Sequence, residues 1–270
     1  MLDRVPTVSQ SAARVLSILN ALSEAPELGV RDIARRLSLA PSVVQRLLHT
    51  LGEYGYVERA TDGQKYRLGY RIFQVGQRYL QQTDLHAVSL PELRLMAERH
   101  QINAYLGVMR DESVVYLEAL QSRGPIAITS SPGARAHLHS TAFGKALLAE
   151  LDDGEVARLL GKEPFRRLTA KTKVRLKPLL QELRDVRRLG YAVSDEENIE
   201  NVFAAGAAVR DSSGQAVASV SGAVPRHQLK KPDIERLCGI VIGAAERISR
   251  RLGGAPGRSS RVPHPNRQSR

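Results

Sequence analysis

The sequence predicts an α+β protein of two domains joined by a helical linker. Two observations lead to this class. Apolar residues recur at helical spacing three times before residue 55 and are followed by two short strand-like runs, while the chain after residue 100 mixes strand-like and helix-like segments. A length of 270 residues suits this division. The predicted boundaries are 8–70, 71–100 and 101–252, with a disordered basic tail over 253–270.

Three short helices open the chain. The first, over residues 10–24, carries an apolar stripe that includes Leu16. The second follows Gly29, and the third begins at Pro41, a residue that favours the first position of a helix, and ends at Gly55. Only two residues separate the second helix from the third, which is the short turn expected of a helix-turn-helix.

A hairpin is predicted to follow, with strands at residues 56–60 and 65–69 and the turn Asp62-Gly63 between them. Three helices and a hairpin describe a winged helix-turn-helix, whose third helix enters the major groove of DNA. Arg46 on that helix can bind guanine or a phosphate, and the wing cations suit phosphates. The alternative is a solvated polar helix face. The predicted DNA contacts are Ser42, Val43, Gln45, Arg46, His49, Arg59, Lys65 and Arg67.

The formal charge of +12 favours a polyanionic partner, and double-stranded operator DNA is the predicted one. The C-terminal end weakens this argument, because six arginines from Arg250 onward supply half of the net positive charge. The N-terminus lacks an apolar signal segment and no run approaches the roughly 18 apolar residues of a membrane span, so we expect a cytoplasmic protein without membrane contact. A single cysteine, Cys238, excludes an internal disulfide and a cysteine-cluster zinc site.

The linker, about 70 to 100, is predicted to be helical and to be kinked or split by Pro91. The second domain is predicted to contain a largely antiparallel sheet, because a turn over residues 211–214 joins two strand-like runs. The predicted strands are 104–110, 113–120, 125–131, 202–210 and 215–222. The predicted helices are 141–150, 154–160, 173–188 and 231–251.

The chain resembles the IclR family, named for the isocitrate lyase regulator, from residue 8 to about residue 250. The N-terminal run that carries the resemblance is SAARVLSILNALSEAPELGVRDIARRLSLAPSVVQRLLHTLGEYGYVERATDGQKYRLGYRIFQVG. The C-terminal runs are PGARAHLHSTAFGKALLAEL and GYAVSDEENIENVFAAGAAVRDSSGQAVASVSGAVPR. The resemblance implies a repressor or activator of transcription that works as a homodimer or homotetramer, with a GAF-like effector-binding domain. The family usually has Ser-Thr at the head of the recognition helix, whereas Val43 follows Ser42 here.

The resemblance also implies an effector pocket for a small organic acid. Its expected positions are Thr141, Ala142, Phe143, Ser194, Ala204, Ser221 and Ala223. The family often has Asp, Cys and Ser where Ser194, Ala204 and Ala223 stand, so this pocket should be less polar. Two interpretations stay open: a preference for an aromatic or longer acid, or the loss of effector binding. Free N–H groups at a helix start near Thr141 would suit a carboxylate, although Thr141 could equally be an N-cap.

Catalysis is not expected. The run HSTAFGKA around Lys145 lacks the first glycine of a phosphate-binding loop, and no cofactor, metal or catalytic set is predicted from His137, His139 or any other residue. The carboxylates of Glu196 and Glu197 are expected to cap or to be solvated. Two other functions remain open: a constitutive DNA-binding protein whose C-terminal domain only oligomerises, and an enzyme with an accessory helix-turn-helix.

Overall fold

A computed structural model describes residues 8–61, 63–81, 84–123 and 130–254. The chain divides into two compact units, Met1–Gln82 and Thr83–Arg270, so the division falls inside the predicted linker. Three predictions lie wholly or mostly outside the described residues: Asp62 of the turn, the strand over 125–131 and the tail over 253–270.

The first unit is a winged helix-turn-helix, as predicted. Its hydrophobic core joins Ile18, Ile33, Val44 and Leu48, all fully buried, from the three helices. The strands form an antiparallel sheet in the order β1-β3-β2, and the two-residue strand β1 was not predicted because a run this short carries no periodicity. The elements are α1 (Gln10–Ser23), β1 (Leu28–Gly29), α2 (Val30–Leu37), α3 (Pro41–Glu53), β2 (Val57–Arg59), β3 (Lys65–Leu68) and α4 (Tyr70–Gln81).

The helix that contains Pro91 is not split at that residue, so of the two predicted alternatives, a kink or a split, the split is wrong. Helix α5 spans Asp84–Arg94 with Pro91 inside it, and a π-helical turn follows over Leu95–Arg99. Leu85 and Leu93 are buried in one core on either side of the proline. Their burial contributes about 1.5–3 kcal/mol each, which offsets the roughly 3 kcal/mol that a proline costs inside a helix.

The second unit is built on a six-stranded antiparallel sheet in the order β6-β5-β4-β9-β8-β7, which confirms the predicted fold class. The prediction that the strands around the turn at 211–214 are antiparallel neighbours is correct. The strands are β4 (Asn103–Arg110), β5 (Ser113–Leu120), β6 (Arg135–His137), β7 (Ala192–Asp195), β8 (Val202–Arg210) and β9 (Ala216–Pro225). Besides α5, the α-helices of this unit are α6 (Ala142–Leu148), α7 (Asp153–Leu160), α8 (Leu176–Leu189) and α9 (Lys231–Arg251).

Glycines allow helices to pack closely on this sheet. A Cβ atom on Gly206 would lie 2.6 Å from the backbone of Ala142 at the start of α6, and one on Gly222 would lie 3.1 Å from the side chain of Val241 in α9. One hydrophobic core lies around α9 and α5, and a second lies around α6 and α8. The start of α6 is therefore pressed against the strands that carry the predicted pocket residues.

Candidate functional site

The predicted DNA-reading residues lie on the face of α3 that points away from the core. Ser42, Gln45, Arg46 and His49 are exposed, and Val43 is half-buried. Within the described part of the chain, no hydrogen bond or ion pair engages the Arg46 guanidinium. This side chain can therefore bind a base or a phosphate without first breaking a contact.

The wing cations are also exposed, but each has a partner within the unit. Arg59 donates from Nη1 to the carbonyl of Gly63 at 2.6 Å, and its guanidinium lies 5.3 Å from the ring centre of Tyr66. The ammonium of Lys65 lies 3.1 Å from Glu27 Oε1, and Arg67 Nε lies 2.8 Å from Glu58 Oε1. Because exposed ion pairs are weak, a phosphate can replace these carboxylates.

All seven predicted effector positions line one cavity of about 40 Å³ in the second unit. The sheet register explains why they meet. Ser194 pairs with Ala204, and Ala204 pairs with Ala223 on the next strand. Ser221 lies on the same face of β9, two positions before Ala223, and pairs with Tyr105 of β4. The start of α6 covers this face and brings in Thr141, Ala142 and Phe143.

One wall of the cavity is aromatic. The ring of Tyr116 lies 5.5 Å from that of Tyr105 and 5.0 Å from that of Phe143, measured between centroids. Phe143 packs on Gly107, where a Cβ atom would lie 2.5 Å from its ring. Burial raises the pKa of the Tyr105 and Tyr116 hydroxyls, so both remain neutral phenols at physiological pH.

Helix α6, whose first residues line the cavity, is shorter than predicted. It runs over Ala142–Leu148 instead of 141–150, and Thr141 is its N-cap. The Thr141 hydroxyl accepts from Gly144 N at 3.2 Å, and the Thr141 carbonyl accepts from Lys145 N at 2.9 Å. One of the N–H groups expected to face a carboxylate, that of Gly144, is thus used by the N-cap, and the Lys145 bond is the first hydrogen bond of the helix itself. Helix α6 has only seven residues, and we assign no anion site to its start.

The three predicted hydroxyls are held by backbone carbonyls. Ser194 donates to Ser140 O at 2.7 Å, and Ser221 donates to Ala205 O at 2.8 Å. Thr141 donates to His137 O at 2.7 Å. A hydroxyl has a single hydrogen to donate, so these side chains offer a ligand only their acceptor lone pairs.

A buried cluster of ion pairs joins α6, α8 and the loop after β7, next to the pocket. Lys145 is fully buried, with its ammonium 2.7 Å from Glu182 Oε1 and 2.7 Å from Glu197 Oε1. Lys173 lies 3.3 Å from Glu182 Oε2 and 3.1 Å from Glu197 Oε1. Burial lowers the pKa of Lys173, but the two carboxylates raise it by more, so it stays charged. The expectation that Glu197 caps or is solvated is wrong, because this carboxylate is a buried partner of Lys145.

The histidines near Thr141 have structural positions. His139 is buried, and its Nε2 lies 3.0 Å from the carbonyl of Arg166. Burial lowers the pKa of both His137 and His139, so both are neutral at pH 7. Among the described residues, no three His, Cys, Asp or Glu side chains are grouped so that they could hold a metal ion.

Sequence reasoning missed part of the lining. Tyr105 and Tyr116 come from β4 and β5, and Asn198 and Ile199 come from the loop after β7 that leads to Val202. The strand pattern of β4 and β5 was visible, but nothing in it showed which strand would neighbour α6. The loop residues follow the acidic pair Glu196-Glu197. The sequence indicates this pair only as a possible catalytic pair and gives no sign that the next two residues line a cavity.

Comparisons with known proteins agree with both units. Residues 11–61 match the family model described as the IclR helix-turn-helix domain, and residues 77–250 match the model described as the bacterial transcriptional regulator IclR C-terminal. The transcriptional regulator KdgR of Escherichia coli K12 is 31% identical over 252 residues, which is 93% of this chain and 96% of KdgR.

Solved structures have a similar fold. An IclR transcriptional regulator from Alicyclobacillus acidocaldarius has a TM-score of 0.82 at 25% identity and covers 92% of this chain and 100% of its own. An IclR homologue from Microbacterium hydrocarbonoxydans, solved with 4-hydroxybenzoate, has a TM-score of 0.78 at 25% identity and covers 90% of this chain and 99% of its own.

In the parts of the chain that the structure describes, no helix combines the length and apolarity needed to cross a bilayer. The matched relatives are regulators of transcription, which is not an enzymatic activity, and their helix-turn-helix binds DNA. The two family models together span most of the sequence, from residue 11 to residue 250. This chain belongs to the IclR family of bacterial transcriptional regulators.

Proposed function

We propose that a small organic acid binds the cavity of the second unit and changes the affinity of this regulator for its operator DNA. The observation that carries the proposal is the meeting of all seven expected effector positions, from separate segments of the chain, around one cavity. Burial of a small molecule there can bias the arrangement of the two units only if one arrangement binds it better.

The residues that line the cavity favour an aromatic acid. The rings of Tyr105, Tyr116 and Phe143 form a wall on which a planar ligand can stack. Ala204 and Ala223 add apolar surface where the family often has Cys and Ser. The relative solved with 4-hydroxybenzoate gives a first compound to test.

A homo-oligomer is the expected DNA-binding form, because one recognition helix reads too few base pairs for useful specificity. The first unit offers surface for such an assembly. Leu16 of α1 and Tyr70 and Phe73 of α4 are each more than half exposed, although apolar side chains of this size usually pack against a partner.

Replacing Arg46 by Ala is expected to weaken operator binding by about 1–3 kcal/mol, because the side chain is exposed, unpaired and on the reading face of α3. Fluorescence anisotropy at fixed salt measures this loss. The control is Arg78→Ala, which removes the same charge from the exposed surface of α4. If Arg46→Ala and Arg78→Ala bind the operator equally well, α3 is not the reading helix.

Ser221→Val tests the cavity against a closely matched control. Ser221 and Ser219 are both buried on β9, and each donates to a backbone carbonyl of β8, at 2.8 Å and 2.9 Å. Of the two, Ser221 lines the cavity. In a thermal-shift screen with 4-hydroxybenzoate, benzoate, phenylacetate and pyruvate, we expect wild type and Ser219→Val to be stabilised and Ser221→Val to lose the shift. Equal stabilisation of all three proteins would place the ligand elsewhere.

A further inference from the structure

The loop Glu196–Asn201 forms part of the cavity wall and is firmly fixed. Glu196 and Asn201, at its two ends, have φ angles of 61° and 60°, a left-handed conformation that non-glycine residues adopt at a cost. The hydroxyls of Thr169 and Thr172 donate to the carbonyls of Glu196 and Glu197, both at 2.7 Å. The backbone that leads into Asn198 is therefore held in place by hydrogen bonds.

Side-chain contacts hold the same loop from behind. Glu197 is anchored by the fully buried ammonium of Lys145 at 2.7 Å. Asn198, the next residue, lines the cavity and accepts a hydrogen bond at Oδ1 from Ser140 Oγ at 3.0 Å. With Oδ1 as the acceptor of this bond, Nδ2 keeps both of its N–H donors. Across the described residues, no hydrogen bond engages Nδ2.

A neutral donor of this kind suits the pocket. Of the described residues that line the cavity, none carries a charged side chain. A buried carboxylate without a counter-charge must be stabilised by hydrogen bonds. The hydroxyl hydrogens of Ser194, Ser221 and Thr141 are already used on backbone carbonyls.

We propose that Asn198 is a specificity-determining residue of the pocket, whose Nδ2 donates to a carboxylate oxygen of the effector. The assignment rests on the proposed function, since it names the group that recognises the acid in the same cavity. It makes Asn198, and not the predicted serines, the side chain that distinguishes an acid from an apolar molecule of the same shape.

The test compares three variants by isothermal titration calorimetry with 4-hydroxybenzoate and with pyruvate. Asn198→Leu keeps the approximate size and removes the donors. Asn198→Asp keeps the shape and replaces the donors by a charge. Asn201→Asp is the control, because it adds the same charge to the same loop at an exposed residue outside the lining, and Asp tolerates the left-handed conformation.

We expect both Asn198 variants to raise the Kd of the acid that binds by at least about tenfold, as for a lost hydrogen bond to a charged group, and Asn201→Asp to change it by less than about threefold. Melting temperatures near that of the wild type identify the variants that remain folded. If Asn198→Leu binds the acid as tightly as the wild type, the proposal is overturned while the effector function stands. If neither acid binds the wild type, the proposed binding of a small organic acid is contradicted, and the role of Asn198, which depends on it, is contradicted as well.

Discussion

Replacing Lys145 by Met is expected to lower the free energy of unfolding of the second unit by about 3–5 kcal/mol, the usual cost of breaking a buried ion pair from one side. The variant leaves Glu182 and Glu197 with Lys173 as their shared cation, at 3.3 Å and 3.1 Å. In the described structure the buried Glu197 Oε2 accepts no hydrogen bond, and Glu182 Oε2 has only its ion-pair contact with Lys173. Urea unfolding followed by circular dichroism measures the loss.

The matched control is Lys171→Met. Lys171 is exposed and pairs with Glu196, the neighbour of Glu197 on the same loop. Water screens that pair, so its loss should leave the unfolding midpoint almost unchanged. Similar midpoints for Lys145→Met and Lys171→Met would show that the buried cluster adds little to stability.

Gly206→Val should displace the start of α6 and abolish acid binding. Even a Cβ atom at this position would lie 2.6 Å from Ala142 C and Phe143 N and 2.7 Å from Ala142 O. Backbone atoms cannot rotate away as a flexible side chain can. We expect a destabilisation of at least about 1–3 kcal/mol from overpacking, together with the loss of any thermal shift by 4-hydroxybenzoate.

Gly239→Ala is the control for this substitution. Gly239 lies in α9, is exposed and has open space where a Cβ atom would be placed. Alanine favours a helix over glycine by up to about 1 kcal/mol, so this variant should be neutral or more stable. If Gly206→Val melts at the wild-type temperature and still responds to 4-hydroxybenzoate, α6 does not depend on close contact with β8.

The helices and longer strands could be predicted because their apolar spacing is strong. Helix α9 spans Lys231–Arg251 and strand β5 spans Ser113–Leu120, and both have the bounds that were predicted for them. Strand β7 was missed because Ala192–Asp195 is too short to show alternation. The continuation of α5 through Pro91 was missed because burial of Leu85 and Leu93 is a property of the folded unit and not of the local sequence.

The pocket was predictable in part, and only through the resemblance to the family. Nothing local relates Ser194 to Ala223, since β8 lies between their strands and the register that aligns them is a tertiary property. Asn198 and Tyr105 enter the lining for the same reason. The close approach of Gly206 to α6 and the burial of Lys145 depend on contacts between residues 37 or more positions apart, which periodicity cannot detect.

The effect of an acid on operator affinity tests the central claim most directly. The operator is first selected from random DNA, and the Kd is then measured at fixed salt with and without saturating 4-hydroxybenzoate, or whichever acid stabilises the wild type. For coupled sites we expect a change of about 5–150-fold in the wild type and in Ser219→Val, and none in Ser221→Val. An acid that binds the wild type and leaves the Kd for the operator unchanged would contradict the account, and the second unit would then serve only assembly on DNA.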